Sequence, residues 1–260
     1  MNNNPKVSVV TVVLNQKDCI LDCIKSVSNQ SYLNIEHVII DGGSKDGTLE
    51  KISSLANGRI KVILSDSGGL YEALNKGINN VTGEIVGILH GDDFYAHQDV
   101  IAKVVGHMVS GGFEVVYGDL EYVRQLDTAR VVRYWKAGSC SSLKLNCGWA
   151  PPHPTIFCSR SVYDKHGCFD TKFNISSDYD FIIKIFSDSK LKFSYIPEVL
   201  VKMRLGGVSN RSLSCVCRKS LEDYMILKKN KIPFPVVPLL LKNFTKIKQF
   251  WARRSDEKSI

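Results

Sequence analysis

The chain opens on a run of apolar, mostly β-branched residues from Val7 to Leu14. A run this short and this uniformly apolar predicts a strand covered on both faces. Asp18 to Ser28 follows with Ile20, Ile24 and Val27 at helical spacing, so the strand leads into a helix. The same alternation returns at Ile35 to Ile40 before Thr48 to Ala56, at Ile60 to Leu64 before Leu70 to Ile78, and at Glu84 to Leu89 before Val100 to Val109. Parallel neighbours need crossover helices, so four strand-helix units predict a doubly wound α/β fold on a mostly parallel sheet flanked by helices. Ligands of such sheets collect at the carboxyl ends of the strands.

From Phe113 onward the rhythm changes. Val115 to Tyr117, Glu121 to Arg124 and Val131 to Trp135 read as short strands, and the Ser-rich stretch Gly138 to Asn146 as a mobile loop. Residues 178 to 188 read as a helix, and Phe193 to Ile196 and Val199 to Met203 as strands. Pro233, Pro235 and Pro238 punctuate the start of a final segment. The pattern divides the chain into a ligand-binding half over residues 1–125, a smaller acceptor-side half of the same domain over 126–210, and a helical, basic C-terminal tail over 211–260.

With 44% hydrophobic residues among 260, the chain can bury a substantial core, which excludes a disordered protein. No stretch approaches eighteen apolar residues, and the polar start from Met1 to Lys6 lacks a secretory pattern, so a soluble, cytoplasmic protein is expected. The net charge of +8 is concentrated: residues 228 to 260 carry nine Lys/Arg against two acids. A nucleic-acid domain would spread its basic residues over a recognition face, so no nucleic-acid partner is expected. On a helical projection Val237, Leu240, Phe244, Ile247 and Trp251 share one face, and Lys242, Lys246 and Arg253 lie opposite. Such a segment fits peripheral contact with an anionic bilayer; packing on its own domain or on a partner subunit of a homo-oligomer is the alternative. The eight cysteines include no Cys-x-x-Cys pair, and reduced thiols are expected.

The loop after the first strand, Asn15-Gln16-Lys17-Asp18, has neither a dinucleotide glycine fingerprint nor a phosphate-cradling Gly-Lys-Ser/Thr. Hydride transfer and ATP hydrolysis lose support. Three acidic sites instead fall where a parallel sheet presents ligands. Asp41 ends a strand before Gly42-Gly43, where it either meets a ligand or caps its own turn. Asp92-Asp93 follows a buried strand; adjacent side chains diverge, so one carboxylate can face a cation and the other a ribose, unless the pair is merely a solvated turn. Asp178 begins a helix on the face of Phe181, Ile182 and Ile185, which turns it toward the cleft, although it could simply favour the helix N-terminus. Asp180, on the face of Lys184, is expected to pair with it at the surface.

In this order the segments resemble the family 2 inverting glycosyltransferases of the GT-A fold, of the type that builds bacterial surface polysaccharides. Val7 to Asn15 is similar to the family's opening strand, and Val38 to Thr48 to its second motif, whose first Asp contacts the nucleotide base; that position is Asp41. Gly69 to Gly77 resembles the segment beneath the nucleotide sugar, and Gly91-Asp92-Asp93 the metal-binding Asp-x-Asp variant. Pro152-His153-Pro154-Thr155 resembles the stretch before the catalytic base, Asp178 falls at the base itself, and Gly206 to Ser209 resembles a downstream glycine-serine segment. The resemblance implies a nucleotide-sugar-binding half contacted through Thr11, Asn15, Asp41, Asn75, Lys76 and Asp92, a Mg2+ or Mn2+ ion held by Asp93 and His153, and Asp178 as general base. It implies a donor that is a nucleotide sugar, a UDP-sugar foremost, an acceptor that is a glycan or polyprenyl-linked glycan, and a place on the inner face of the cell membrane. A noncatalytic sugar-nucleotide-binding subunit and a nucleotidyltransferase remain the alternatives.

Overall fold

The computed structural model describes residues 4–55, 58–65, 68–206 and 213–249. Ala56, Gly207 to Ser209, Trp251 and Arg253 lie outside the described residues, as do the side chains of Phe244, Lys246 and Ile247. In chain order the elements are β1 (Val7–Val13), α1 (Ile20–Ser28), β2 (Ile35–Asp41), α2 (Thr48–Ser54), β3 (Ile60–Leu64), α3 (Leu70–Asn79), β4 (Ile85–Ile88), β5 (Phe94–Tyr95) and α4 (Val100–Gly111). Then come β6 (Val115–Val123), β7 (Val131–Trp135), α5 (Ser142–Asn146), β8 (Phe157–Ser159), α6 (Arg160–His166), α7 (Ser177–Phe186), β9 (Phe193–Arg204), α8 (Leu213–Lys229) and α9 (Val236–Gln249).

This is the doubly wound α/β architecture that the alternating pattern predicts. The sheet runs β3-β2-β1-β4-β8-β6-β9-β5, with β7 added to β6. β3, β2, β1 and β4 are parallel, β8 is antiparallel to both β4 and β6, and β6 and β9 are again parallel. Alternating residues of the buried strands feed two cores. Val10, Val38, Ile40 and Val86 join Leu74 and Ile78 of α3 and Phe181 and Ile185 of α7 on one face. Val9, Val13, Ile39 and Ile85 join Ile20 and Ile24 of α1 and Val104 of α4 on the other. Two covered faces explain why β1 and β2 read as unbroken apolar runs. α3 lies so close to β1 that a Cβ at Gly77 would come 2.4 Å from Val10 Cγ1, so a larger residue there would force the helix and strand apart.

The second half differs in detail from the sequence expectation. The two expected strands Val115 to Tyr117 and Glu121 to Arg124 merge into one, β6, which ends at Val123, and Phe193 to Met203 forms another, β9. Irregular register between Gly118 and Leu120 absorbs the mismatch that made each look broken. β5, β8 and α6 were not anticipated, being too short to show a period. The expected Gly138 to Asn146 loop contains α5, whose Ser141 hydroxyl accepts from the backbone N–H of Lys144 at 3.2 Å. Pro238 falls in the first turn of α9, where a missing N–H costs nothing. No described helix is long and apolar enough to cross a membrane.

Candidate active site

The loops after β1 and β2 are stitched together. Asn15 adopts a left-handed φ of 53°; its N–H donates to Ser44 Oγ at 2.9 Å and its Oδ1 accepts from Lys45 N at 2.9 Å. Asp41 is fully buried, and its Oδ1 accepts from Gly43 N at 2.9 Å and Ser44 N at 2.8 Å. One oxygen thus performs the turn-capping role, while Oδ2 is buried with no partner. Thr11 lies elsewhere than the expected nucleotide site: it is fully buried beneath α1, with its hydroxyl 2.8 Å from His37 Nε2. Strand alternation decides this, because Thr11 shares the face of Val9 and Val13. On α3, Asn75 clamps the backbone of Phe169 through both N–H and C=O, and Lys76 donates to Leu64 O at 2.8 Å. Both side chains hold the wall of the cleft together.

At the end of β4 the two acids part as their alternation demands. Asp92 is half-buried, and Asp93 is 1% exposed. Asp93 Oδ1 accepts from the backbone N–H of Arg204 at 3.2 Å, and Oδ2 has no partner. Burial, and next the charge of Asp92, push the Asp93 carboxyl well above the usual carboxylate range. Arg204, unrecognised in the sequence, donates to Asp92 O at 2.7 Å, pairs with Asp22 and lies 4.9 Å over the Phe94 ring. The orphaned Asp93 oxygen is the hard, anionic donor a divalent cation takes, and Asp92, turned the other way, is left half-exposed. No group of three or more His, Cys, Asp or Glu that could hold a metal occurs among the described residues. Such an ion would therefore complete its shell with water and substrate phosphate oxygens.

Asp178 sits in the first turn of α7, half-exposed to the cleft, with its carboxylate held at both ends. Tyr71 OH lies 3.0 Å from Oδ1 and 2.8 Å from the carbonyl oxygen of Ile175. His153 Nδ1 lies 3.1 Å from Oδ2, and His153 Nε2 lies 3.1 Å from His90 Nε2. An ionised carboxylate only accepts, which places the proton on His153 Nδ1 and makes His90 the donor to its other nitrogen. In this arrangement His153 is engaged by Asp178 through Nδ1 and by His90 through Nε2. Burial raises the Asp178 pKa, but His153, Lys219 and Tyr71 outweigh it and hold the carboxyl below its ordinary range. Burial pushes His153 down to about 4. His90 stands two positions before Asp92, so the histidine pair joins the acidic loop to α7 in one cleft.

α7 is anchored by the C-terminal helices. Glu222 of α8 accepts from the backbone N–H groups of Asn174, Ile175 and Ser176 at 3.2, 2.9 and 3.0 Å. An anion at that helix N-terminus satisfies orphan donors and complements the dipole. Asp180 is fully buried, the opposite of its expected place at the surface: Lys229 Nζ and Asn230 Nδ2 of α8 and the turn after it reach it at 2.9 and 2.8 Å, while Lys184 stands 3.9 Å away. The helical projection missed α8 arriving on that side. Lys242 of α9, expected to face outward, turns in to meet Asp223 at 2.8 Å and the Tyr179 ring at 3.4 Å. Tyr71, His90, Arg204 and Glu222 escaped the sequence reading; the position of His90 just before the acidic pair was the one available signal.

Residues 8–171 match the model of Glycosyl transferase family 2. A glycosyltransferase of Mycobacterium tuberculosis is 31% identical over 192 residues, 71% of this chain and 70% of that one. A PGL/p-HBAD biosynthesis glycosyltransferase of Mycobacterium bovis is 28% identical over 213 residues, 79% of this chain and 80% of that one. Among solved structures, S. aureus TarS 1-349 in complex with UDP-GlcNAc superposes with a TM-score of 0.67 at 16% identity, over 86% of this chain and 65% of that one. The chain spans 39% of the longer TarS structure. The mannosyltransferase PcManGT of Pyrobaculum calidifontis, in complex with GDP-Man and Mn2+, superposes with a TM-score of 0.65 at 18% identity, over 92% of this chain and 69% of that one. The structural likenesses establish the shared fold; the match across most of the sequence establishes more, and the chain belongs to glycosyl transferase family 2.

Proposed function

We propose that the protein moves a sugar from a nucleoside-diphosphate donor, a UDP-sugar foremost, to a hydroxyl of a glycan or lipid-linked glycan, with inversion at the anomeric carbon. The observation that carries this reading is Asp178, an ionised carboxylate open to the cleft and oriented by His153 and Tyr71. As the acceptor oxygen attacks the anomeric carbon, its proton passes to Asp178; the bond from that carbon to the diphosphate oxygen breaks on the opposite face. One carboxylate suffices because no covalent sugar intermediate forms. His153 and Tyr71 keep the carboxylate pointed and charged, and Glu222 keeps the turn that presents it. A Mg2+ or Mn2+ ion at Asp93, with Asp92 left to the ribose, would stabilise charge on the departing diphosphate. The solved relatives bound to UDP-GlcNAc and to GDP-Man with Mn2+ support a nucleotide-sugar donor and a divalent ion. Asp178 facing the cleft speaks against a noncatalytic binding subunit.

The tail supports a peripheral place on the inner face of the cell membrane. Phe234 is 81% exposed and Leu240 55%, and they lie within the segment that concentrates the positive charge. Asp178→Asn tests the reaction: transfer, followed by nucleoside-diphosphate release, is expected to fall about 10²- to 10⁴-fold while nucleotide affinity holds. Full transfer by that variant removes Asp178 as the base.

A further inference from the structure

Arg204, the last residue of β9, carries a buried charge that the transfer step leaves without a task. It is 4% exposed, and its side chain reaches three places. Nη1 donates to the carbonyl oxygen of Asp92 at 2.7 Å, Nη2 donates to Asp22 Oδ2, and the guanidinium lies 4.9 Å from the centroid of the Phe94 ring. The rest of the acidic loop is tied by backbone. Gly91 N–H donates to Val12 O at 3.3 Å, Asp93 N–H donates to His90 O at 3.0 Å, and β5 pairs Phe94 with Lys202 of β9. Between these ties, the Asp92 peptide is held by the Arg204 side chain. Asp22 lies in the first turn of α1, 182 positions before Arg204, with its own side chain 55% exposed. A surface carboxylate on the outer helix thus reaches the back of the acidic loop through one arginine.

We propose that Asp22 and Arg204 are positioning residues for the divalent cation: Asp22 fixes the guanidinium, and the guanidinium fixes the Asp92 peptide so that Asp93 Oδ2 stays turned to the ion. The inference rests on the reading of Asp93 as the cation ligand and adds the residues that aim it. Asp93 is buried, and its Oδ2 has no partner among the described residues. A guanidinium next to such an oxygen ordinarily pairs with it, because a buried carboxylate gains most from a forked, charged donor. Arg204 is close enough to do so, since its backbone N–H already meets Asp93 Oδ1. Asp22 holds the guanidinium away. With a carboxylate on its far side, the group stays on the Asp92 carbonyl, and Oδ2 is left for the cation that would otherwise have to displace an arginine. An acid in the first turn of a helix also complements the helix dipole, but that role touches stability alone.

Mn2+ binding read by electron paramagnetic resonance, on the full chain alone and with UDP, needs no turnover. Asp22→Asn removes the charge and keeps the shape, and its Mn2+ dissociation constant is expected to rise about tenfold. Asp22→Glu, which keeps the carboxylate, should return it to within about threefold of wild type. Arg204→Lys leaves the backbone bond to Asp93 in place but cannot fork between Asp22 and Asp92, so it should weaken Mn2+ about as much as Asp22→Asn. In transfer assays the half-saturating Mn2+ concentration should rise in parallel. Where Arg204→Lys fails to fold, Asp22→Asn, at a half-exposed position on α1, decides alone. A lowered melting temperature with wild-type Mn2+ affinity in Asp22→Asn assigns Asp22 to the helix dipole and overturns the proposal. So does equal Mn2+ affinity in wild type and in every folded variant, an outcome that leaves Asp93 as ligand intact. A wild-type chain that binds no Mn2+ removes the cation reading and the proposal together. Mn2+ binding that depends on Asp22, in a chain that transfers no sugar from any donor, supports the proposal and sinks the transfer reading instead.

Discussion

The parallel half of the sheet and the half that presents Asp178 solve the same problem, holding a carboxylate at the edge of a cleft, by different means. Asp41 is fastened by its own next residues, through bonds to Gly43 and Ser44. Asp178 is fastened by Tyr71, 107 positions earlier in the chain, and by His153, while the turn before it is capped by Glu222, 46 positions beyond Ser176. The first arrangement is local and tolerates the loss of distant elements. The second depends on helices docking from both ends of the chain, so the tail drawn as a separate unit at 211–260 contributes directly to the site. A strand-end turn is cheap to build locally because its donors are neighbours; a helix N-terminus at the seam of two halves must borrow its partners.

That contrast can be broken most sharply at Glu222. Glu222→Ala leaves three N–H groups, that of Ser176 buried, without their acceptor and is expected to cost about 3 kcal/mol of stability and to lower kcat, with nucleotide affinity held. Denaturant melts and transfer assays check it; wild-type values in both would detach α8 from the site. The matched lesion in the parallel half is Gly77→Ala, where the new Cβ meets Val10 Cγ1 at 2.4 Å. Overpacking there should cost about 2 kcal/mol and weaken nucleotide binding, leaving the pH profile of transfer untouched.

Titration sharpens the comparison further, because each half holds a histidine whose pKa is lowered, His37 fully buried and His153 only partly. Burial lowers His37 from 6.5 to about 3 and His153 from 6.5 to about 4. The unfolded chain binds more protons than the folded one in that window, so stability falls as pH drops from about 6.5 toward 4. His37, 1% exposed, accounts for on the order of 2 kcal/mol of this, and His37→Gln should flatten that part of the curve alone. Asp178 runs the other way: its folded pKa is depressed, so its stabilising charge persists above the unfolded value and is lost only as pH falls through the folded one. His153→Gln should therefore move the acid limb of the transfer profile to higher pH; an unmoved limb would show that His153 does not hold the base charged. The smallest effect is at the surface. Phe234→Ser should weaken sedimentation with anionic vesicles about threefold, and an unchanged partition would leave the tail to protein packing.

The four parallel strands, their helices and the three acidic sites could be read in the sequence because strand and helix periods and strand-end acids are properties of contiguous residues. Asp178 was separated from Asp180 by a helical projection for the same reason, although the projection wrongly sent Asp180 to solvent. The order of residues thus settled the fold and the family, and set Asp178 apart from Asp180. Folding in three dimensions alone decided that Thr11 points under α1, that His153 meets Asp178, that Arg204 closes behind Asp93, and that Glu222 and Lys242 return from the tail to grip α7. Those contacts join segments far apart in the chain, and which side chains meet across such a gap depends on how whole elements dock, a quantity no local period encodes.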